Sequence, residues 1–563
     1  MNSEKTGSKK TKRIVICAVT AAVFAAILYI LITKGFFRDP ANFMQLAKNK
    51  ITSKYHEVTN TEPTIQEEIV STADGHKVLI DRPKGYMLSF PDNMHFDLSI
   101  SPEQIKAYND DMTVIVTREW APYEDPTYFI DNYLNNYYLD DHYIEKNNIT
   151  IRENTTFEHD GAKAQRISLT RSPEKQLIER RNDYTYFFVL SKTGPQAFFR
   201  VMFKTKDYEK NAPVIDEIIN SFEEIKIEGE NIFKCDYKPG VPDSWNAETR
   251  KLFDELNTKG TMKWGLFVDG SYQKERNYQW FKDLEKKVDY NFDFALHYVN
   301  LEWGFPVEEM QRFHNDGKFT EMTLQVSNFN NDDLFGKNIN FDMYDGLLDE
   351  QIREFARGAK RFGHPFLFRL NNEMNSDWVN YSGVASLSDP EIFIENWRRI
   401  YDIFQEEGVD NAIWIFNPNA EDCPPAHWNS YVSYYPGDNY VQLIGLTGYN
   451  TGEYYKDLYH EKWRTFDEIY KEPYDKYMNV FGKFPFIITE FASSSVGGDK
   501  AAWITDMFAQ IKKYENVRAA LWWSSADYDM RPETYKQLAR PYFLDETEDT
   551  TAAFREGIKS YKK

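Results

Sequence analysis

At 563 residues the chain is too long for one ordinary hydrophobic core, so two or three folded units are expected. Its 42% hydrophobic and 28% charged residues are the balance of a soluble globular protein. A formal net charge of -21 argues against nucleic acid or another polyanion as partner, because phosphate binding needs clustered Lys and Arg.

The basic residues that do cluster are Lys5, Lys9, Lys10, Lys12 and Arg13, in a tail of residues 1–13. They precede an uncharged apolar run at 14–33, and a helix of about 20 residues spans roughly 30 Å, the thickness of a bilayer's hydrocarbon core. The run leaves through Lys34, Gly35, Phe36, Phe37 and Arg38 without a small-x-small cleavage site. It reads as an uncleaved signal anchor, with a cleaved signal peptide as the alternative. The larger positive cluster lies before the span, so a single-pass topology with everything downstream outside the cell membrane is expected. Residues 34–62 read as a polar stalk.

Residues 63–228 form the next unit. Strand-like runs at 77–81, 86–90, 112–117, 164–170, 184–190 and 197–203 are interrupted by helical patterns at 126–138 and 213–225. Strands grouped apart from helices indicate a small α+β domain. No catalytic constellation falls in it, and its role is left open between spacer and binding module. A linker at 229–245 follows, carrying Lys238-Pro239-Gly240-Val241-Pro242.

From 246 to 563 the pattern changes. Short apolar runs recur at 262–268, 294–299, 322–326, 365–370, 412–416, 443–446, 486–488 and 519–523, separated by amphipathic stretches such as 346–361, 390–407, 462–481 and 500–514. Strands buried on both faces and alternating with helices imply a parallel sheet, and eight such units fit a closed (β/α)8 TIM barrel. No Gly-x-Gly-x-x-Gly follows the first run, so a dinucleotide cofactor is not expected. His297 and His364 have no second histidine or carboxylate at metal-ligand spacing and read as packing groups; no metal is expected. Of the three cysteines, Cys17 lies in the apolar run, and whether Cys235 and Cys423 pair is not decided by spacing.

Two of the runs end in a glutamate. The fourth continues Arg369-Leu370-Asn371-Asn372-Glu373-Met374-Asn375, and the seventh ends Ile487-Ile488-Thr489-Glu490-Phe491. In such barrels the C-terminal strand ends converge on one mouth, and strands four and seven face each other across it. Glycosidic bond cleavage needs one carboxylic acid to protonate the leaving oxygen and one carboxylate to meet the anomeric centre. At a separation of about 5–5.5 Å the second attacks directly and configuration is retained. Glu373 is therefore assigned as acid/base and Glu490 as nucleophile.

The stretch Tyr344-Asp345, Phe355-Ala356, Phe362-Gly363-His364-Pro365, Arg369 to Asn375 and Trp378 resembles the acid/base region of glycoside hydrolase family 26, a family of β-mannanases. Gly445-Leu446-Thr447-Gly448-Tyr449-Asn450 is similar to that family's sixth-strand motif, and Ile488-Thr489-Glu490 to its nucleophile strand. The resemblance runs from about 262 to 528. It implies that Tyr449 hydrogen-bonds the nucleophile, that Trp522 floors the subsite of the attacked sugar, and that Trp378 lines an adjacent subsite. Two positions depart from the family: Asn372 stands where a histidine is usual, and Thr447 where an aspartate is common. Asn372, as in the wider clan, is expected to bind the sugar 2-hydroxyl.

Arg369 lies four positions before Glu373 and, read as part of one strand, faces the same way, where it would orient a glutamate. Alternation sends one of Trp522 and Trp523 into the mouth and the other toward the helices; the family pattern selects Trp522. Glu302, Trp303 and Trp428 are further subsite candidates, each read more readily as surface or packing. The expected function is a membrane-anchored retaining endo-β-mannanase-like hydrolase of an extracellular polysaccharide. The alternatives are trimming of the cell's own exopolysaccharide and an inactive, glycan-binding barrel.

Overall fold

The computed structural model describes residues 64–120, 139–159, 162–178, 185–194, 197–327 and 336–562. The apolar run 14–33, the stalk up to residue 63 and the helical pattern at 126–138 lie outside the described residues. No helix among the described residues is long and apolar enough to cross a membrane.

The N-terminal half of the described chain is antiparallel. Strands β1 (Glu68–Ser71), β2 (His76–Asp81) and β3 (Tyr86–Pro91) form one sheet. In β3 buried and half-buried residues alternate, the mark of a strand with one face on a core. Strands β4 (His95–Asp97), β5 (Ile105–Tyr108), β6 (Met112–Trp120), β7 (Ile149–His159), β8 (Ala162–Arg171), β9 (Thr185–Gly194) and β10 (Ala197–Thr205) form a second sheet, in the order β4-β5-β6-β10-β9-β8-β7. A short β11 (Glu223–Glu224) returns to β3. The helix expected at 213–225 instead runs Tyr208–Asn220: Asp207 caps it by accepting from the Lys210 amide, which places Pro213 inside the helix rather than at its start.

Strand β10 is buried along nearly its whole length. Phe199, Val201 and Phe203 point into the unit's own core with Ile215 and Ile218 of the helix. Phe198 and Met202 point the other way, into an apolar cluster shared with Phe341, Val384 and Trp428 of the C-terminal half. Residues Gln66–Lys563 accordingly make one compact unit rather than two beads on a linker.

The eight apolar runs of the C-terminal half become β12 (Lys263–Val268), β13 (Phe294–Asn300), β14 (Phe319–Gln325), β15 (Phe366–Leu370), β16 (Ala412–Phe416), β17 (Leu443–Asn450), β18 (Phe486–Ser493) and β19 (Val517–Ser524). Each pairs in parallel with the next, and β12 closes on β19 to complete the barrel. Every residue of β12, β15, β16 and β18 is buried, which is why these runs read as unbroken apolar stretches. Inward-facing Phe294, Leu296, Leu367, Ile413 and Leu521 fill the lumen, and Leu252, Phe253 and Leu256 of the helix Ala247–Asn257 join them as a plug. The indole of Trp245 donates to the Ala412 carbonyl at the start of β16, so this plug sits at the N-terminal end of the strands. The opposite end is left for chemistry. After β19 a hairpin, β20 (Ala526–Tyr528) with β21 (Leu538–Pro541), rises on that side.

Candidate active site

Strand β15 ends at Leu370, and the chain then turns through Asn371 and Glu373, both in the left-handed region at φ 44° and 59°. For non-glycine residues this conformation is uncommon and is held by its surroundings. Here the Asn371 amide donates to the Leu324 carbonyl at 2.8 Å, its side chain accepts from the Val326 amide at 2.7 Å, and the Glu373 amide donates to the Asn417 carbonyl at 2.8 Å. The turn is thus stitched to β14 on one side and to the end of β16 on the other. Glu373 therefore does not share a strand face with Arg369, as the four-residue spacing suggested; Arg369 points inward from the strand, and Glu373 reaches the site from the turn.

Glu490 arrives by a different device. Strict alternation from inward-facing Ile487 would send position 490 outward. The pairing of β17 with β18 slips by one residue, Leu446 opposite Ile488 but Thr447 opposite Glu490. This bulge absorbs Thr489, so that Thr489 and Glu490 both reach groups inside the barrel and Phe491 returns to the helix layer.

Around Glu490 the groups converge. Arg369 Nη1 lies 2.6 Å from its Oε1, and the Tyr449 hydroxyl donates to its Oε2 at 2.6 Å. Tyr298 also hydrogen-bonds Glu490, and the Arg369 guanidinium lies 5.6 Å from the Tyr298 ring centre. Arg369 is fully buried; its Nε donates to Thr323 Oγ1 at 2.7 Å and lies 3.0 Å from Glu321 Oε1, while Nη1 donates to Asn417 Oδ1 at 3.0 Å. Asn417 Oδ1 also accepts from Thr489 Oγ1 at 2.6 Å. Gly445 is required there: a Cβ on it would lie 2.6 Å from the Asn417 side chain. Thr447 belongs to this floor too, its hydroxyl 3.3 Å from Asn417 Oδ1, beneath the site rather than in its mouth.

Glu373 is half-buried and lies within the field of the Glu490 carboxylate. Burial, then the charge of Glu490, pushes its carboxyl up to about 7, against the opposing pull of Arg369 and a hydrogen bond from Trp378. Burial likewise pushes Glu321 up to about 8, although Arg369 stands beside it. One carboxyl that holds a proton near neutrality thus sits beside another held by a guanidinium and a phenol.

Of the residues expected at the site, Arg369, Asn372, Glu373, Trp378, Tyr449 and Glu490 come together. Asn372 Oδ1 accepts from Gln325 Nε2 at 3.1 Å and its carbonyl from the Tyr381 hydroxyl at 2.9 Å, which fixes the side chain against the turn. Trp378 is 52% exposed beside Glu373, open to a ligand. Trp522 does not belong to the mouth. It is 0% exposed, its indole donates to the Tyr542 carbonyl, and its ring packs on Phe491, Trp503 and Phe554 in the helix layer. Trp523 is the inward tryptophan: it stacks on Phe267 at 5.3 Å and meets Tyr449 edge to face at 6.0 Å. The parity of β19, on which Ala519 and Leu521 also face the lumen, decides this.

Trp428 is buried in the cluster shared with the N-terminal sheet, away from the mouth. Trp303 is exposed and, with Phe267, Leu296 and Tyr298, lines a pocket of about 400 Å3 next to Glu490's tyrosine partner. Glu302 is exposed beside it. His297 is a packing group, stacked on Tyr272 at 4.0 Å with its imidazole held neutral by burial. His364 does acquire companions that its local sequence lacks: Glu248 and His314 come close enough for their ligand atoms to lie within 4.8 Å. The His314 and His364 rings stack at 3.6 Å, His364 Nδ1 lies 3.0 Å from Glu248 Oε2, and His364 precedes β15, at the end of the barrel opposite Glu373. Cys235 and Cys423 are both free.

Glu321, Tyr298, Asn417 and Tyr381 complete the site without a signal in the sequence, and Trp523 takes the inward place expected for Trp522. Residues 288–484 match the family model described as glycosyl hydrolase family 26. Endoglucanase H of Acetivibrio thermocellus is 29% identical over 306 residues, 54% of this chain and 31% of that protein. A mannan endo-1,4-beta-mannosidase of Bacillus subtilis is 25% identical over 187 residues, 28% of this chain and 49% of that protein. Among solved structures, a GH26 beta-mannanase from Bacteroides ovatus is 16% identical with a TM-score of 0.42, covering 56% of this chain and 94% of that one. The chain spans 31% and 49% of the length of these two curated relatives. The matched region holds Arg369, Glu373 and Tyr449, and over it the chain is similar to glycosyl hydrolase family 26.

Proposed function

We propose that the chain is a retaining β-glycoside hydrolase, anchored in the cell membrane by residues 14–33, that cleaves a β-linked polysaccharide outside the cell. The observation that carries this reading is the coupling of two unlike carboxyls: Glu373, able to hold a proton near pH 7, and Glu490, paired with Arg369 and Tyr449. In the first step Glu373 protonates the glycosidic oxygen while Glu490 attacks the anomeric carbon, releasing the leaving sugar and forming a glycosyl ester. Ester formation removes the charge on Glu490, the second-largest influence holding the Glu373 proton. Glu373 then becomes a better base, takes a proton from water, and the resulting hydroxide displaces Glu490 with overall retention. Arg369 and Tyr449 hold Glu490 throughout, and Asn372 is positioned to meet the 2-hydroxyl.

For the sugar, β-glucan and β-mannan are the two candidates. Mannan stands first, because three of the matching relatives are named mannan endo-1,4-beta-mannosidases; Asn372 and the match to a protein named an endoglucanase keep glucan as the second candidate. An anchored enzyme acts locally, which also suits trimming of the cell's own exopolysaccharide. The test is to incubate the full chain in membrane vesicles with β-glucan, β-mannan, xylan and bacterial exopolysaccharide and to measure new reducing ends. Release from one of them, lost in Glu490→Ala, supports the reading. Binding without cleavage would convert it to a glycan-binding barrel.

A further inference from the structure

The acid/base turn opens a long irregular segment, residues 371–389, between β15 and the helix Pro390–Glu406. Its inner end carries the chemistry: the Ser376 amide donates to the Glu373 carbonyl at 3.1 Å, and Gly383 donates to the Met374 carbonyl. Its outer end carries strain. Leu387 and Ser388 sit at φ 60° and 48°, and neither is a glycine. Such residues persist where neighbours over-determine them. Beside the loop's own Ser388-to-Gly383 bond and Asn338 on the Ala385 carbonyl, the neighbours come from the antiparallel half of the molecule. The Tyr143 hydroxyl donates to the Ala385 carbonyl at 2.7 Å, and Arg200 Nη2 donates to the Ser388 carbonyl at 2.8 Å. Leu387 itself is fully buried in the apolar cluster shared by the two halves.

Arg200 is the informative residue. It lies in the middle of β10, 1% exposed, on the face turned away from the antiparallel unit's own core. A buried arginine in a sheet centre contributes little to a core of its own, and its guanidinium is directed at a carbonyl of the other half. Four residues on, Lys204 pairs with Asp389, the cap of the helix Pro390–Glu406, at 3.1 Å. From this arrangement we propose that the antiparallel unit, residues 68–224, is a scaffold for the acid/base loop, with Arg200 and Tyr143 as positioning residues that fix the loop's outer end and, through it, the placement of Glu373. The unit is then part of the catalytic apparatus rather than a spacer or a separate binding module.

The proposal rests on Glu373 as acid/base, and that role supplies a readout that general loss of structure would not imitate. A displaced general acid slows cleavage of bonds with poor leaving groups and spares those with good ones. Arg200→Met and Tyr143→Phe are compared with wild type in the full chain on two substrates, the polysaccharide and a 2,4-dinitrophenyl β-glycoside of the same sugar. Circular dichroism and melting are recorded alongside. Expected for Arg200→Met are a kcat at least about tenfold lower on the polysaccharide, little change in KM, and a kcat/KM on the activated glycoside, which reports the first step alone, within about twofold of wild type. Tyr143→Phe follows in the same direction by about threefold, and Arg200→Lys, which keeps one donor, recovers part of the loss.

Two results overturn the scaffold: folded variants that match wild type on both substrates, or folded variants that lose both substrates in proportion. Should Arg200→Met not fold, Tyr143→Phe, which removes a single hydroxyl, decides by the same criteria. If wild type itself cleaves neither polysaccharide nor activated glycoside, it is the glycosidase reading that fails.

Discussion

The pH at which activity is lost on the alkaline side reports directly on Glu373. Its carboxyl is raised to about 7, burial acting first and the charge of Glu490 second. The chemistry needs it protonated in the free enzyme. As pH rises through about 7 the proton leaves, so kcat/KM on polysaccharide falls about tenfold per pH unit above that point. Trp378 provides the perturbation. Its hydrogen bond favours the ionised form, and the side chain is 52% exposed, so solvent screens the contribution. A buried hydrogen bond to a charged group contributes about 1.5–3 kcal/mol, and the exposed geometry reduces this to about a third, or about half a pH unit. Trp378→Phe is therefore expected to move the alkaline limb upward by about 0.5, whatever it does to the absolute rate through lost sugar contacts. The assay is kcat/KM between pH 5 and 9, repeated with an activated aryl glycoside, on which the limb should largely disappear. A limb that moves downward in the variant, or one that persists unchanged on the activated glycoside, would refute the reasoning.

Other outcomes follow from the same geometry. Tyr449→Phe removes a 2.6 Å hydrogen bond to Glu490 and should lower kcat by about 10- to 100-fold without unfolding the chain, as steady-state kinetics and a melting curve will show. Trp522→Ala and Trp523→Ala separate packing from site. The first leaves a cavity in the helix layer and should cost about 3–5 kcal/mol of stability, whereas the second should lower activity more than melting temperature. Glu321, raised to about 8 by burial, keeps a proton in the folded state that the unfolded chain gives up above about 4.5. Its contribution is present in full below that pH and is lost as pH rises toward 8, so wild type should lose stability across this window. Glu321→Gln should flatten the melting temperature between pH 5 and 8 by several degrees relative to wild type.

The barrel was legible because its strands are buried on both faces: each apolar run coincides with a strand, and β13 and β16 begin and end within a residue of the patterns at 294–299 and 412–416. Glu373 and Glu490 were legible because they interrupt apolar runs at their C-terminal ends. The rest of the site was hidden for specific reasons. Glu321 and Tyr298 lie inside β14 and β13, where a single inward polar side chain does not disturb an apolar reading. The apolar run at 322–326 begins one residue after Glu321, inside the observed strand Phe319–Gln325. Alternation leaves open which of Trp522 and Trp523 faces inward; the family pattern points to Trp522, whereas the register that puts Ala519 and Leu521 in the lumen puts Trp523 there. Conversely, parity alone would have turned Glu490 away from the lumen, because a bulge leaves no mark in the local sequence. The union of the two halves depends on pairs such as Arg171 with Asp345, buried and bidentate at 2.8 and 2.7 Å across 174 residues, which no local pattern discloses.

The central claim is that Glu490 becomes covalently glycosylated while Glu373 supplies and removes the proton. A 2-deoxy-2-fluoro glycoside with a good leaving group slows the second step and accumulates the ester. After reaction with the wild-type chain, peptide mass spectrometry should find one fluorosugar on the peptide containing Glu490, and none in Glu490→Gln. A label on Glu373 or Glu321, or a catalytically active chain that never acquires the sugar, would contradict the account.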